Sequence, residues 1–391
     1  MILRTSTKFL LAVSLVFAGY SKAAAQNANS DKPSRSNYAA TSTSLPFLSL
    51  TPDARTAAMG EAGVARSPDV NSLSINPSAI VFLPSKSGLG LSYNPWLQNV
   101  TKDMSLSYLS AYINFGQQAV GASVRYFSVG ESTFRDEHAL MLGVVHPVEY
   151  AFDISYARKL GPDFSLGATA RYAQSRLSLN DQGTALRSSG AVVAADISAY
   201  LVKPGRLLGY DTELAAGFNL SNLGPASLNN QTGQQNYLPA NMKLGTSAAM
   251  AIDDLSRLVL AADFNKLLVP GRKTPDGSGG PNRDLPASVW RSFSDNTFIE
   301  EISDISFSFG LEYTFKQAFS IRSGYIFANP ANGKPSHLSL GAGIRYLNMN
   351  LDVAYLPLSM EKSPMANALK IGLLFNFGQI EHKQDGLIRP L

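Results

Sequence analysis

DFSLGATARYAQSR, residues 163–176, is the stretch of sequence that decides the fold. Successive side chains of a β-strand point to opposite faces, and here they separate into two rows. The apolar row is Phe164, Leu166, Ala168, Ala170 and Tyr172, and the polar row is Ser165, Gly167, Thr169 and Arg171. Segments of about ten residues with this alternation are typical of a membrane-spanning β-barrel, in which the apolar row faces lipid and the polar row faces the lumen.

The same alternation recurs along the chain, and residues 305–313 and 338–346 show it clearly. We predict strands near 86–94, 103–115, 118–128, 149–160, 163–177, 189–203, 212–222, 240–251, 256–267, 303–315, 317–328, 335–346, 348–356 and 367–378. The predicted fold class is therefore all-β, a transmembrane outer-membrane β-barrel of about fourteen antiparallel strands. An even number is expected of bacterial barrels whose two termini lie on the periplasmic side.

The predicted connections alternate between tight turns and longer polar loops. Gly116-Gln117 and Lys316-Gln317 are two of the tight turns, and 203–211 is expected to be a longer turn. Short turns in the periplasm and long loops outside the cell are the arrangement that this topology predicts.

The composition agrees with a membrane barrel and excludes several other classes of protein. The chain has 391 residues with 31 Gly, 16 Tyr and 20 Phe, and only 16% of its residues are charged, which is unusual for a soluble protein. Beyond the first twenty residues no apolar run approaches the roughly 18 residues of a spanning helix. The absence of Cys excludes disulfides and thiolate sites.

Nothing in the sequence has the spacing of a catalytic, cofactor-binding or metal site. The four histidines are scattered without ligand spacing, and no G-x-S-x-G signature is present. We therefore expect no enzyme activity, no cofactor and no metal.

The N-terminus has the three parts of a secretory signal peptide. A basic region with Arg4 and Lys8 precedes an apolar region at 9–20 and an Ala23-x-Ala25 cleavage site. Cleavage after residue 25 removes three basic residues and no acids, so the formal charge falls from +4 to +1. The high pI therefore gives no reason to expect nucleic acid as a partner.

Residues 51–84, TPDARTAAMGEAGVARSPDVNSLSINPSAIVFLP, do not alternate. Small side chains fill the first half of this stretch and allow its backbone to pack closely against another surface. Pro77 then stops any helical turn, because it lacks the N–H that a helix needs, and the chain turns toward the first strand. We predict a hatch buried in the lumen, with packing residues Arg55, Met59, Gly60, Gly63, Asn76 and Pro77.

The predicted organisation has five parts. They are a signal peptide at 1–25, a flexible periplasmic leader at 26–46, the hatch at 47–84, the barrel at 85–378 and a periplasmic C-terminal tail at 379–391.

The motif Ala-Arg-x-x-x-Met-Gly-x-Ala-Gly-Val-Ala at 54–65, followed by Asn-Pro-Ser at 76–78 and an apolar residue, resembles a known hatch. It is similar to the N-terminal hatch of FadL-like outer-membrane barrels, in the form carried by the PorV (LptO) family of the Bacteroidetes type IX secretion system. The resemblance covers most of the mature chain, and the paralogous PorQ barrels are a rival within the family.

The resemblance implies a function without catalytic residues. Such a protein binds the C-terminal signal domain of cargo leaving a large translocon barrel of the Sov/SprA type. It escorts the cargo to a cell-surface sortase of the PorU type and an attachment complex, which couples the cargo to anionic lipopolysaccharide. Two alternatives stay open: a FadL-like channel for hydrophobic solutes, and a protein required for lipopolysaccharide O-deacylation.

Two predicted loops carry the side chains that we expect to contact cargo or partners at the cell surface. Residues 94–103 hold Trp96 and Leu97, and the long excursion 269–302 holds Trp290 and Phe293. A loop as long as the second is uncommon without a function. A disordered surface loop and, for tryptophan, a membrane anchor are the alternatives.

Charged residues recur on the predicted lumen face: Arg125, Asp153, Arg171, Asp196, Asp263, Glu312, Arg322, Arg345 and Asp352. Because a buried unpaired charge is unfavourable, we expect them to pair with one another or with hatch residues such as Arg55 and Glu61. A solute path lined by these residues is the alternative.

Overall fold

The structure, a computed structural model, describes residues 43–95, 103–135, 141–177, 188–225, 227–228, 235–268, 305–328, 336–359 and 368–380. The strands are β1 Ser85–Pro95, β2 Ser105–Asn114, β3 Gln118–Ser128, β4 Ser132–Arg135, β5 Met141–Val145, β6 Val148–Lys159, β7 Phe164–Leu177, β8 Ser188–Leu207, β9 Tyr210–Leu223, β10 Ser227–Leu228, β11 Gln235–Asn236, β12 Asn241–Asp253, β13 Ser256–Leu267, β14 Ile305–Phe315, β15 Phe319–Phe327, β16 His337–Tyr346, β17 Met349–Ser359 and β18 Ala368–Gln379.

Fourteen of these strands form one closed antiparallel barrel. In the order around the wall they are β1, β18, β17, β16, β15, β14, β13, β12, β9, β8, β7, β6, β3 and β2. The pairs β4–β5 and β10–β11 are separate two-stranded hairpins. The predicted fold class and the predicted number of strands are therefore confirmed.

The alternation in the sequence decides which face of each strand meets lipid. In β7, Phe164 and Leu166 are 36% and 43% exposed, whereas Arg171 is 3% exposed and points inward. β14 repeats this arrangement with Phe307 and Phe309 outward and Ser308 inward. The outer surface of the barrel is thus an apolar band and its inner surface is polar, as membrane spanning requires.

One predicted connection is wrong. The segment 203–211 is not a long turn, because β8 continues to Leu207 and β9 begins at Tyr210, so that only Leu208 and Gly209 connect them. Leu208 and Gly209 both have positive φ, 54° and 88°, as expected of a two-residue hairpin turn. Lys-Pro-Gly at 203–205 looks like a turn in the sequence but lies within the strand.

The barrel has two different ends, which we call the turn end and the loop end. At the turn end every connection between strands is short, for example 115–117 between β2 and β3. At the loop end the connections are longer and include the hairpins β4–β5 and β10–β11. In outer-membrane barrels these ends face the periplasm and the cell exterior, respectively.

The hatch, which in the structure includes residues 43–84, lies inside the barrel and has little regular structure. It contains one short helix, α1 Ala54–Ala58, and three 3-10 turns, Pro46–Ser49, Val70–Ser74 and Pro77–Phe82. Its apolar side chains pack in several small clusters against inward-facing residues of the wall. The core of the molecule is therefore the boundary between hatch and wall.

Among the described residues, no helix is long and apolar enough to cross a membrane.

Candidate functional site: the hatch and the lumen wall

The hatch crosses the lumen from the loop end to the turn end. The amide of Ser44 donates to the carbonyl of Tyr237, which lies just before β12 at the loop end (2.9 Å). At the turn end, the side-chain amide of Asn114 in β2 donates to the carbonyl of Leu83 (2.9 Å). Both ends of the hatch are thus fixed to the wall by hydrogen bonds.

A row of wall glycines allows the hatch backbone to touch the wall. Gly310, Gly324 and Gly341 face inward on the adjacent strands β14, β15 and β16. An ideal Cβ on Gly324 would lie 2.0 Å from the amide nitrogen of Gly60, and one on Gly310 would lie 2.7 Å from the carbonyl oxygen of Met59. No residue with a side chain fits there without displacing the hatch.

Gly60 itself also requires the absence of a side chain. Its φ is 63°, in the left-handed region that glycine adopts readily. A Cβ at this position would lie 2.5 Å from the amide nitrogen of Tyr325. The Gly60 amide donates to the hydroxyl oxygen of Ser339 in β16 (2.9 Å), so the turn after α1 is fixed to the wall.

A single carboxylate holds the next part of the hatch. Asp263 of β13 accepts hydrogen bonds through Oδ2 from the amides of Gly63 (2.7 Å) and Val64 (2.9 Å). A charged acceptor makes stronger hydrogen bonds than a neutral one, and here both donors are buried. The wall glycines Gly217 and Gly245 pair between β9 and β12, and an ideal Cβ would lie 2.2 Å from the carbonyl oxygen of Val64 on Gly217 and 3.1 Å from Val64 Cβ on Gly245.

A network of buried charges joins the hatch to three strands. Arg55 of α1 donates to both oxygens of Glu312 in β14 (2.7 and 2.8 Å) and to Asp69 of the hatch (3.0 Å). Arg322 of β15 bonds the same glutamate (2.5 Å) and Asp352 of β17 (2.6 Å). Every charge in this network thus has at least one opposite partner, as the burial of charged groups requires.

A second arginine of the hatch completes this network. Arg66 bonds Asp69 at 2.6 Å and lies 3.7 Å from Asp53, the residue that caps α1 by accepting from the amide of Thr56. Burial raises the pKa of Asp69, but the charges of Arg66 and Arg55 outweigh it and lower the pKa to about 2. The carboxylate is therefore ionised at neutral pH and fixes the fold of the hatch.

Asn76 and Pro77 connect the middle of the hatch to its last turn. The side-chain amide of Asn76 donates to the carbonyl of Val64 (2.7 Å) and to that of Ala199 in β8 (3.0 Å). Pro77 is the first residue of the turn Pro77–Phe82, a position where its missing N–H leaves no bond unmade.

A further charge cluster belongs to the wall near the loop end. Arg171 of β7 bonds Asp153 of β6 (2.7 Å) and Asp196 of β8 (2.9 Å), and it also donates to Asn222 of β9. Arg125 of β3 donates to the carbonyl of Leu48 in the hatch (2.9 Å). Arg171 thus joins the four adjacent strands β6, β7, β8 and β9, and Arg125 joins the next strand, β3, to the hatch.

The two strands that close the barrel are joined through the hatch as well as to each other. Lys370 of β18 donates to the carbonyl of Thr51 (2.7 Å), and Asn94 of β1 donates to the carbonyl of the next residue, Pro52 (2.7 Å). β1 and β18 are the first and last strands of the barrel and pair directly.

Five of the six predicted packing residues contact the wall or the rest of the hatch, and the sixth, Pro77, is buried at the start of the last turn. Met59 is fully buried in a cluster with Ala249 and Val259 of the wall, and the contacts of the other four are given above. The predicted loop contacts Trp96, Leu97, Trp290 and Phe293 lie outside the described residues.

The lumen charges follow the expected pairing with one exception. Arg345 is exposed at the turn end and donates to Asn350 of the neighbouring strand (3.1 Å).

The residues that sequence reasoning missed are the inward glycines Gly310 and Gly324 and the double acceptor role of Asp263. An inward glycine in an alternating strand is the signal that marks a close approach of another backbone.

The described residues contain no group of three or more His, Cys, Asp or Glu side chains able to hold a metal ion. The lumen of the part that the structure describes is occupied by buried ion pairs and by backbone contacts between hatch and wall.

Comparison with known proteins gives one family. The family described as "Type IX secretion system protein PorV" matches residues 33–275, more than half of the chain. Comparison with curated proteins gives no match.

Several solved structures are similar to this chain at low sequence identity. The TodX deltaS2S3 mutant, a monoaromatic hydrocarbon channel, is 12% identical with a TM-score of 0.52, covering 83% of this chain and 99% of that one. The Ralstonia pickettii toluene transporter TbuX is 15% identical with a TM-score of 0.47, covering 83% and 98%. A Pseudomonas aeruginosa FadL homologue is 11% identical with a TM-score of 0.42, covering 84% and 99%.

At 12% identity, the similarity to the TodX deltaS2S3 mutant indicates only the fold. That fold agrees with the closed barrel and its lumen hatch. The family match is the more specific finding because it includes the hatch motif at 54–65. The chain therefore belongs to the PorV family of the type IX secretion system, and it is an outer-membrane β-barrel of fourteen antiparallel strands.

Proposed function

We propose that this chain binds the C-terminal signal domain of secreted cargo as it leaves the large translocon barrel. It then escorts the cargo to the cell-surface sortase and attachment complex, where the cargo is coupled to anionic lipopolysaccharide. No catalytic role belongs to this proposal.

The observation that supports the proposal is the way the lumen is closed. Wall glycines on β9, β12, β14, β15 and β16 meet the hatch backbone, and buried ion pairs join the hatch to β14 and, through Arg322, to β15 and β17. A lumen closed in this way is a poor route for a folded protein or for a large solute. The surface left for binding is the loop end, which in outer-membrane barrels faces the cell exterior.

Cargo contact at the loop end would use the two tryptophan-bearing loops. Trp96 with Leu97, and Trp290 with Phe293, offer large apolar side chains, the kind that dominate the energy of protein interfaces. The double variants Trp96→Ala/Leu97→Ala and Trp290→Ala/Phe293→Ala should each lower cargo capture while the barrel remains folded.

The first experiment is affinity purification of the detergent-extracted protein from its native membrane, followed by mass spectrometry of the proteins and lipids that come with it. Secreted proteins that share a C-terminal β-domain, together with a large translocon barrel, are the expected companions. The same purification from cells that carry the untagged protein serves as the control for nonspecific capture.

A channel for hydrophobic solutes is the second candidate, and one observation favours it. An apolar cluster lies in the loop-end half of the lumen, formed by Leu45, Phe47 and Leu48 of the hatch with Val192 and Leu238. If the hatch segment moves, an apolar ligand could take its place. Recovery of the protein without cargo but with a stoichiometric fatty acid or other lipid would contradict the escort function and support the channel.

A further inference from the structure

The lipid-facing side of the wall carries an arginine near the turn end. In β6 the side chains of Tyr156, Arg158 and Leu160 alternate with inward ones and are exposed. The next residue, Lys159, points the other way, because its ammonium group lies over the ring of Phe82 in the hatch (4.7 Å to the centroid). Arg158 therefore belongs to the outer surface of the barrel and not to the lumen.

The outward side chains around Arg158 are apolar or aromatic. Tyr156 and Leu160 are its neighbours along β6, Val120 lies diagonally across on β3, and Leu166 is directly opposite on β7. All four are exposed on the surface that faces lipid. Arg158 thus stands at the rim of the apolar band, where the acyl chains of a membrane reach its neighbours.

No carboxylate of the part of the chain that the structure describes is paired with Arg158. The lumen arginines Arg171 and Arg322, by contrast, each bond two carboxylates. A cation at the edge of hydrocarbon is stabilised by a nearby anion. Because the described chain supplies none to Arg158, the anion would have to come from the membrane.

A second donor lies directly across from this arginine. Gln118 of β3 is opposite Arg158 in the ladder. The adjacent pair is joined by a bond from the amide of Lys159 to the carbonyl of Gln117 (2.9 Å). Pairs with and without ladder bonds alternate, so Gln118 and Arg158 form a pair without them, in which the Cα atoms are only about 4.5 Å apart. Their two side chains therefore leave the wall side by side.

A tyrosine fixes the orientation of the Gln118 side chain. The hydroxyl of Tyr156 donates to the side-chain carbonyl oxygen of Gln118 (3.0 Å). This bond uses the acceptor of the amide and leaves its NH₂ group to donate, and within the described residues that group has no hydrogen bond. The guanidinium of Arg158 and the amide of Gln118 thus offer N–H donors next to each other.

Another exposed cation near the turn end lacks this setting. Lys203 of β8 lies two residues past the last pair of β8 with β7, which is Phe164–Leu201. On its other side, the directly opposite residue is Leu214 of β9. Neither ladder places a second side-chain donor beside Lys203, so it has the charge of Arg158 without the neighbouring amide.

From these contacts we propose that Arg158 and Gln118 bind the phosphate of an anionic phospholipid in the leaflet at the turn end. A guanidinium bonds phosphate oxygens through two parallel N–H groups, and the amide adds a further donor. The exposed side chains of Val120, Leu160 and Leu166 favour a phosphate that carries acyl chains over a free phosphate ion. The site is on the outer wall and does not depend on the proposed escort function.

Native mass spectrometry of the purified full-length barrel tests the site. The barrel in detergent is titrated with an equimolar mixture of phosphatidylglycerol and phosphatidylcholine, and the lipids that stay bound are counted. We expect the first bound lipid to be phosphatidylglycerol in at least about fivefold excess. Arg158→Gln should abolish this excess, and Gln118→Leu should lower it by about half. Equal binding of the two lipids by the parent protein would overturn the proposal.

Lys203→Gln is the matched control. It removes one positive charge from the same end of the barrel and should leave the preference for phosphatidylglycerol as in the parent protein. If Lys203→Gln reduces the preference as much as Arg158→Gln does, the barrel attracts anionic lipid only through its net charge, and the site is refuted. Heat-dependent migration on gels verifies that all variants are folded.

A melting experiment distinguishes a lipid headgroup from free phosphate. Phosphatidylglycerol should raise the melting temperature of the parent barrel but not that of Arg158→Gln. Inorganic phosphate, compared with chloride at the same ionic strength, should have no effect on either protein. If inorganic phosphate stabilises the parent barrel and this effect is lost in Arg158→Gln, the site takes a free anion and the lipid proposal is wrong.

Discussion

Replacing Gly324 with alanine would put a methyl group where the hatch backbone now lies. The new Cβ would be 2.0 Å from the amide nitrogen of Gly60 and 2.0 Å from the carbonyl carbon of Met59. Both atoms are backbone, so no side-chain rotation can relieve the clash, and either the wall or the hatch has to move.

The size of the effect follows from the cost of overpacking. Inserting a methyl group into a well-packed region destabilises it by about 1–3 kcal/mol, and sometimes by more. If the hatch moves to relieve the strain, the ratio of displaced to seated hatch rises by about 5- to 150-fold. If the wall absorbs the strain instead, the whole barrel loses a similar free energy of unfolding.

Two measurements on purified protein distinguish these outcomes. Single-channel conductance in a planar lipid bilayer reports on the hatch, and the temperature at which the folded band disappears on a gel reports on the barrel. The matched control is Gly372→Ala on β18, another inward glycine, where the nearest atoms to the new Cβ are 3.5 and 3.8 Å away. Equal conductance and equal melting for Gly324→Ala and Gly372→Ala would refute the close contact described here.

Asp263→Asn keeps the shape but removes the charge that holds two hatch amides, and should weaken the seating of the hatch by about 1–3 kcal/mol, seen as faster protease cleavage within the hatch. Unchanged cleavage would mean that the charge is not needed. Arg171→Ala leaves Asp153 and Asp196 buried without their cation and should destabilise the barrel by about 3–5 kcal/mol; a melting temperature within a degree of the parent would contradict this. Glu312→Gln removes the negative charge shared by two arginines and should raise bilayer conductance, with Gly372→Ala again as the unaffected reference.

The barrel could be predicted from the sequence because its signal is local. Each wall strand carries its own alternation, so Phe164 and Arg171 reveal opposite faces without knowledge of any neighbour. The prediction failed at 203–211 because Lys-Pro-Gly has the composition of a turn, and only the register with β9 shows that the strand continues. Pro204 fits within the strand because the ladder with β7 stops at the pair Phe164–Leu201, and a position without a ladder bond tolerates a missing N–H.

The site was predicted only in part because its contacts are long-range. Small residues marked the hatch as a packing segment, and Arg55 was an evident partner for a lumen charge. The choice of Glu312 as that partner, and the match of Gly324 to Gly60, depend on how strands more than 200 residues away are staggered. No local pattern carries that information.

The bonds from Lys370 and Asn94 to two consecutive hatch carbonyls have a consequence for assembly. The first and last strands of a barrel are the farthest apart in the chain and meet only when the cylinder closes. A hatch that offers adjacent acceptors to both, at Thr51 and Pro52, can hold the two edges in register before their own ladder forms. The segment that fills the finished lumen would thus also serve as the internal template on which the wall is closed.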